Sequence, residues 1–418
     1  MLILNEASNQ VMREFNVAMD DLISNADDLN KNADNWFKAK EKVIEEFQDR
    51  LAVIDEKRNA FPKALIELRK NPTDEKIEAV IEDRKDYKKD LLEAKKRLDE
   101  ELQNSKEYLE FYRGRKNEML DGFERRIHRL KDWRLEREYR HLIEEFRKDE
   151  INPERVKEIK ARIDQRLTEI PANSRDHEMV ARMREFGEQI RPIGQRIRRI
   201  ESCFRQNAAI IEDLLKEVDE HINELEAMKG LSLEEKQARI DALLEKVEDS
   251  LKNSHNLKNL RNELEAQRLQ IVVDRANERQ ITSMSRLTDW FAQNVQGGKK
   301  VTLLNGEEAE VFQARSTKLY YTIENGKRVY VSGEDQLKLL GQDNISIEDM
   351  RADRKRREQE AAAAEAEEAD KKAGLEIYKP HEDTQRPGSE FNAAVDNGDK
   401  TGPATAPVLE ERATISGP

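Results

Sequence analysis

The sequence predicts a mainly α-helical fold: an elongated antiparallel bundle of long, coiled-coil-like helices, then a small C-terminal β module and a disordered tail. Charged residues make up 39% of the chain, whereas Gly and Pro number only 16 and 10, and this balance is typical of long amphipathic helices. Apolar residues recur three and four apart over most of residues 1–298, as on one face of a helix. Near residue 299 the pattern changes to short runs that favour strands.

Four long helical segments follow from the apolar periodicity and from the residues that interrupt it. Their approximate bounds are 6–60, 73–148, 153–229 and 232–296. Phe61-Pro62 and Asn71-Pro72 are expected to end the first segment, since proline disfavours a helix interior.

The later boundaries carry signals for helix starts. Asn152 followed by Pro153 is typical of an N-cap with proline at the first helical position. Ser232 and Glu235 have the spacing of a capping box. Pro192 is expected to kink the third segment.

The lengths of the segments indicate how they pack. The second and third segments are nearly equal and are joined by a turn of about four residues. Short connections between long helices favour antiparallel neighbours, so residues 1–298 are predicted to form one up-down-up-down domain. At 1.5 Å per residue, the longest segments would extend about 114 Å. A parallel dimeric coiled coil is the alternative, and the regular turn signals argue against it.

Residues 299–341 are predicted to form a small β module of two hairpins. Asn305-Gly306 and Asn325-Gly326 each stand between β-rich runs, which is a strong hairpin signal. The layout resembles small SH3-type barrels, so we expect such a barrel or a short sheet. That resemblance implies a binding module and nothing more specific. A unit this small has little core of its own and is expected to dock beside the end of the fourth helical segment.

The chain beyond the β module is rich in charge and poor in periodic apolar residues. Residues 346–373 are predicted to form a solvated helix, with Ser346 as its cap. Residues 374–418 show no periodicity and contain many small, polar and Pro residues, which is typical of disorder.

Charge, cysteine content and hydropathy narrow the classes of function. The net charge of −13 argues against a protein that condenses nucleic acid or coats an anionic membrane as a whole. Cys203 is the single cysteine, which excludes an intrachain disulfide, and nothing indicates an oxidising compartment. No apolar run approaches the ~20 residues of a membrane helix. We therefore expect a cytoplasmic protein without membrane contact.

The sequence contains no familiar motif for catalysis or cofactor binding. Gly297-Gly298 precedes two lysines, but it lacks the upstream glycine of a phosphate-binding loop and leads from a helix into a strand. The 6 histidines are too scattered for a zinc site. Carboxylate pairs are abundant, yet acid–base catalysis needs burial to shift a pKa, and solvated helix faces do not provide it. The chain is thus predicted to be no enzyme and to use no cofactor or metal.

An excess of basic residues in the middle of the helical domain is the one electrostatic anomaly. Residues 111–148 hold 12 Lys and Arg against 8 Asp and Glu. Antiparallel pairing is expected to bring basic residues of the second and third segments together. This candidate anion or partner patch consists of Arg113, Arg115, Lys116, Arg182, Arg184 and Arg191. It either binds nucleic-acid phosphates or an acidic partner surface, or it forms salt bridges along helix faces.

Three tyrosines are the candidate contacts of the β module. Tyr320 and Tyr321 are adjacent and must point to opposite faces of their strand. Together with Tyr330, at least one of them is expected to be exposed, where it could contact a peptide or nucleic acid. The module could equally be a spacer.

We interpret the chain as a non-catalytic structural or assembly protein of the scaffold type. In this interpretation the helical domain holds partner proteins at a distance and the β module docks one of them. A nucleic-acid-associated accessory protein that uses the arginine-rich surface is the alternative, and a viral assembly or virion-internal protein fits the same description. Thin helices with leftover apolar residues favour self-association.

Overall fold

The computed structural model describes residues 2–127, 136–148, 150–253, 256–278, 297–314, 317–324 and 327–343, together with residues 356 and 359. It confirms a mostly helical chain with a small antiparallel four-stranded sheet near the C-terminus. The chain divides into two compact units, Met1–Met350 and Arg351–Pro418, and every element described below lies in the first. Arg356 and Gln359 are helical, and otherwise the predicted helix 346–373 and the predicted tail 374–418 lie outside the described residues.

Helices make up nearly all of the described chain before the sheet. They are α1 Leu2–Lys70, α2 Asp74–Ile127, α3 Glu136–Arg147, α4 Pro153–Glu169, α5 Arg175–Gly187, α6 Ile193–Glu226, α7 Leu233–Asn253 and α8 Asn256–Glu278.

Capping residues set several of these boundaries. The side chain of Asn152 accepts hydrogen bonds from two backbone N–H groups in the first turn of α4. Ser232 and Glu235 form the predicted capping box before α7, in which each side chain accepts from the backbone N–H of the other residue. Pro192 is the N-cap of α6, so the structure separates α5 from α6 where the sequence predicts a kink.

The expected break at Phe61-Pro62 is wrong, because α1 continues through it to Lys70. The Phe61 side chain is buried, as are two leucines in the following two turns, and they share a core with residues of α2, α6 and α7. A proline in a helix interior costs about 3 kcal/mol, while burying a large apolar side chain contributes about 1.5–3 kcal/mol. Three such side chains therefore outweigh the proline.

The long helices α1 and α2 run antiparallel to each other, whereas α1 and α6 run parallel, since Phe37 contacts Arg196 and Arg58 contacts Glu217. Arg50 of α1 contacts Glu93 of α2, while Asn32, earlier in α1, accepts a hydrogen bond from Tyr108, later in α2. The same reversal relates α2 to α6, and α1 to α7 and α8. For α2 and α6 it appears in the pairs Lys95–Glu212 and Lys88–Asp219. For α1 with α7 and α8 it appears in the pairs Arg69–Asp241, Gln48–Arg261 and Asp34–Arg275. The largest buried cluster comes from α1, α2, α6 and α8.

The C-terminal sheet is a meander with the strand order β1-β2-β3-β4. Its strands are β1 Lys299–Thr302, β2 Glu308–Gln313, β3 Tyr320–Glu324 and β4 Lys327–Tyr330. Leu303 and Glu307 close the predicted turn at Asn305-Gly306, where Gly306 has a φ of 86°, a conformation that favours glycine. The second predicted turn, Asn325-Gly326, lies outside the described residues.

A helix that the sequence analysis did not predict, α9 Gly333–Gln342, follows β4 and packs against α8. Gly333 lies so close to α8 that an added Cβ would be 2.2 Å from the carbonyl oxygen of Ala266. Its N–H donates to Gln270 Oε1 at 2.8 Å, and Asn277 of α8 bonds the backbone of β4. The β module therefore docks on the fourth helical segment.

Candidate functional site

The two hairpins of the sheet diverge and leave a cleft between them. β2 and β3 pair at only two positions, Phe312 with Tyr321 and Gln313 with Tyr320. The strands within each hairpin pair over a longer stretch, since β1 with β2 and β3 with β4 each pair at four positions. Beyond Phe312 the two middle strands separate, and the space between them is a cleft of about 740 Å³.

The cleft has an apolar floor and an acidic rim. Apolar and aromatic side chains line its interior: Leu303, Ala309, Phe312, Ile323, Val329, Tyr330 and Val331. Four glutamates line it as well: Glu307, Glu308, Glu310 and Glu324. Among the described residues that line the cleft there is no lysine or arginine, so its charge is strongly negative.

The backbone of β2 presents hydrogen-bonding groups to the cleft. Leu303 N–H donates to the carbonyl of Glu307 at 2.9 Å, which makes this pair a hydrogen-bonded pair of the β1–β2 ladder. Such pairs alternate along an antiparallel ladder, so Ala309 also bonds towards β1. The amide and carbonyl groups of Glu308 and Glu310 therefore face away from β1, towards the cleft.

Two of the rim glutamates are held by hydrogen bonds. Glu310 Oε1 accepts from the N–H of Gly298 at 3.0 Å, and Glu307 Oε2 accepts from Asn305 Nδ2 at 2.8 Å. A Cβ on Gly298 would lie 2.2 Å from the Glu310 side chain, so this approach requires glycine. The rim is thus partly ordered before any ligand arrives.

Two buried polar side chains of α9 tie the hairpins together beneath the cleft. Gln336 is fully buried: its Oε1 accepts from Tyr320 N–H at 2.8 Å, and its Nε2 donates to the Tyr320 carbonyl at 2.6 Å. Asp335 Oδ1 accepts from the N–H of Leu304 at 2.8 Å, beside the first hairpin turn. One short helix therefore fixes both hairpins.

Two of the three candidate tyrosines lie in the core of the β module. Tyr320 and Tyr321 do point to opposite faces of β3, but both are buried. Tyr320 packs against α8 and α9 and donates to Asp343, and burial raises the pKa of its phenol. Tyr321 packs between the rings of Phe312 and Tyr330. Both faces of β3 are covered, so only the half-buried Tyr330 remains a candidate contact, and it lines the cleft.

Three residues of the candidate patch, in α5 and in the α5–α6 connection, contact carboxylates. Arg182 pairs with Asp20 of α1 at 3.1 Å, and Arg184 pairs with Asp164 of α4 at 2.9 Å. Arg191 pairs with Glu278 of α8 at 3.1 Å. Their positive charge is therefore balanced within the fold.

The basic residues of α2 differ from one another in exposure. Arg115 is exposed and pairs with Glu118 at 3.2 Å, and Arg113 is half-buried. Lys116 is 2% exposed and donates to the carbonyl of Lys148 at 2.7 Å. The fold thus uses Lys116 internally, and a phosphate-binding role for the remaining residues of the patch stays a prediction.

A buried polar cluster lies among the long helices around His221. The His221 ring packs 4.9 Å from the ring of Phe61, and the guanidinium of Arg84 lies 4.1 Å over the same ring. Burial, and then the positive charges of Arg84 and Arg58, lower the pKa of His221 to about 4. The imidazole is therefore neutral at physiological pH.

The described residues also bear on metal and membrane binding. Within them, no group of three or more His, Cys, Asp or Glu side chains is arranged to hold a metal ion. None of the helices in this part of the chain is long and apolar enough to span a membrane.

Comparisons with known proteins add no family or relative. No protein-family model, no curated protein and no solved structure matches the chain. The function of the cleft therefore has to follow from its own geometry and charge.

Proposed function

We propose that the chain is a non-catalytic structural or assembly protein of the scaffold type. Its helical part, an elongated antiparallel coiled-coil-like bundle, positions partner proteins, and its SH3-like β module docks one of them. The observation that carries this proposal is the cleft between β2 and β3. It joins an apolar floor, a rim of four glutamates and free strand edges, which are features of a peptide-docking surface.

The charged groups inside the helical part support a structural role for it. Arg268, with 5% of its side chain exposed, contacts Glu41 and Glu45 of α1 and Glu265 of its own helix. Arg196, equally buried, pairs with Asp274 of α8. Buried charges left without partners would be strongly destabilising, so such pairs specify which helix faces meet. Rigid positioning of a docking module needs this kind of specified packing.

A comparison of two full-length variants as bait tests the proposal. One variant reverses the charge of the rim by Glu308→Lys and Glu324→Lys. The control, Glu334→Lys, changes an exposed glutamate of α9 outside the cleft lining. We expect the wild-type chain and the control to retain the same protein and the cleft variant to lose it. Equal melting temperatures by circular dichroism should show that all three chains are equally stable. Identical retention by both variants would contradict docking at the cleft.

A further inference from the structure

We propose that the cleft binds an extended segment of a partner protein in which basic and apolar residues alternate, added as a strand along the free edge of β2. The inference rests on the proposed function and specifies the chemistry of the docked partner. It combines the direction of the backbone groups, the side chains on each face of β2, and the size of the cleft.

The backbone groups favour a strand as the ligand. Glu308 and Glu310 are two residues apart, and their amide and carbonyl groups point into the cleft from the same edge of β2. An extended segment beside β2 can form antiparallel or parallel ladder hydrogen bonds with these groups. A helix cannot, because its backbone groups are bonded within the helix. The cleft of about 740 Å³ also lies within the ~300–1,000 Å³ range of ligand sites.

The side chains of β2 specify which residues the segment carries. Side chains alternate along a strand, so Glu308 and Glu310 share one face of β2 and Ala309 lies on the other. Ala309 lines the cleft together with apolar side chains such as Val329. A strand added at this edge places basic side chains beside the two glutamates on one face. On the other face it places apolar side chains beside Ala309.

Charge complementarity favours a cationic segment over an anionic one. The lining contains Glu307, Glu308, Glu310 and Glu324, and no Lys or Arg among the described residues. An acidic or phosphorylated segment would bring like charges together at the rim, which is unfavourable at these distances.

Peptide probes on the full-length chain test the inference. The probe is a capped hexapeptide of alternating Lys and Val, and the matched peptide replaces each Lys by Glu. Isothermal titration calorimetry at low ionic strength should detect binding of the Lys peptide only, with an affinity that falls as salt is added.

Two further probes test the backbone hydrogen bonds. One carries an N-methyl group on every Val and the other on every Lys, so each lacks alternate backbone donors. We expect one of these two to bind at least about tenfold more weakly, since several hydrogen bonds are lost.

Variants of the rim locate the binding. Glu308→Gln with Glu310→Gln should weaken the Lys peptide about three- to tenfold, because the two exposed charge contacts on this face are lost. Glu334→Gln on α9 should leave the affinity unchanged. Equal binding of the Lys and Glu peptides, full affinity of both methylated probes, or unchanged affinity after the double substitution would each overturn the inference.

The two proposals fail in different ways. If the bait experiment shows a partner that depends on the cleft while the Lys peptide does not bind, the strand inference is wrong and docking stands. If the Lys peptide binds as expected while both baits retain the same proteins, the proposed docking function is wrong.

Discussion

Lys40 of α1 and Glu101 of α2 form an ion pair in which both side chains are more than nine-tenths buried. Lys40 also lies 5.1 Å from the centroid of the Trp36 ring, and Arg97 approaches Glu101 at 3.4 Å from the solvent side. The pair joins the two longest helices at one register. A shift of one helix would leave a buried charge without its partner, which is costly.

Substitution of Lys40 alone should destabilise the fold strongly. Lys40→Met leaves the Glu101 carboxylate buried, with only Arg97 nearby, and we expect the free energy of unfolding to fall by about 3 kcal/mol. Adding Glu101→Leu removes the remaining charge and should restore most of that loss. Urea unfolding followed by circular dichroism measures both variants.

A lysine two residues earlier in α1 provides the matched control. Lys38 is 49% exposed and pairs with Asp34 at 3.5 Å. Lys38→Met should change the free energy of unfolding by no more than about 0.5 kcal/mol, as exposed ion pairs contribute little. A similar loss for both lysines would mean that burial is not the reason for the effect.

Gly333 and Gly341 of α9 should respond in opposite ways to alanine. A Cβ at Gly333 would lie 2.2 Å from the Ala266 carbonyl oxygen and 2.6 Å from the Gln270 nitrogen, both backbone atoms of α8. Gly333→Ala should therefore loosen α9 and lower stability by about 1–3 kcal/mol. Around Gly341 there is no atom within 4 Å of an added Cβ, so Gly341→Ala should raise stability by up to about 1 kcal/mol. Thermal unfolding and hydrogen exchange of α9 distinguish these outcomes.

The sequence predicts the helical class and both hairpins because their signals are local. Apolar residues at helical spacing, Asn152-Pro153 and the capping box at Ser232 each act within a few residues. Pro62 shows the limit of local signals, since burial of Phe61 against distant helices decides the outcome there. The helix α9 was missed although a signal exists: the Ser332 side chain caps it, with Asp335 three residues later.

The acidic cleft was not predictable in the same way. Glu307, Glu308 and Glu310 are adjacent in the sequence, but their approach to Glu324 depends on where β2 and β3 stop pairing. No residue pattern marks that point. For the same reason the sequence does not show which tyrosine is buried: strand alternation gives their opposite faces, whereas burial comes from α8 and α9 on one face and from Phe312 and Tyr330 on the other.

Cys203 should be unreactive in the folded protein. Its side chain is buried in the largest apolar cluster, and burial raises the pKa of its thiol to about 12. Because the thiolate is the reactive form, labelling by a maleimide or a disulfide reagent should proceed only through unfolding. Mass spectrometry should show no labelling at physiological pH and complete labelling in denaturant. Rapid labelling of the native chain would contradict the packing around Cys203.

Stability should depend on pH through His221. The folded state lowers the pKa of His221 to about 4, whereas the unfolded value is near 6.5. As the pH falls below 6.5, His221 becomes protonated in the unfolded chain before it does so in the folded chain, which favours unfolding. The contribution of His221 to the free energy of unfolding is therefore complete above about pH 6.5 and is lost as the pH falls towards 4. The size of the loss is up to about 3 kcal/mol, since each pKa unit corresponds to about 1.4 kcal/mol.

His221→Gln isolates this contribution from that of the many carboxylates. The variant should be less stable than the wild-type chain at neutral pH, because Gln does not reproduce the stacking on Phe61. The difference in the free energy of unfolding between the wild-type chain and the variant should shrink as the pH is lowered from 6.5 to 4. Only the wild-type chain contains His221 and loses its stabilising contribution over this range. Urea unfolding at several pH values gives the difference directly, and proton NMR of the imidazole gives the folded pKa. A difference that stays constant over this range would show that His221 is not held neutral by burial.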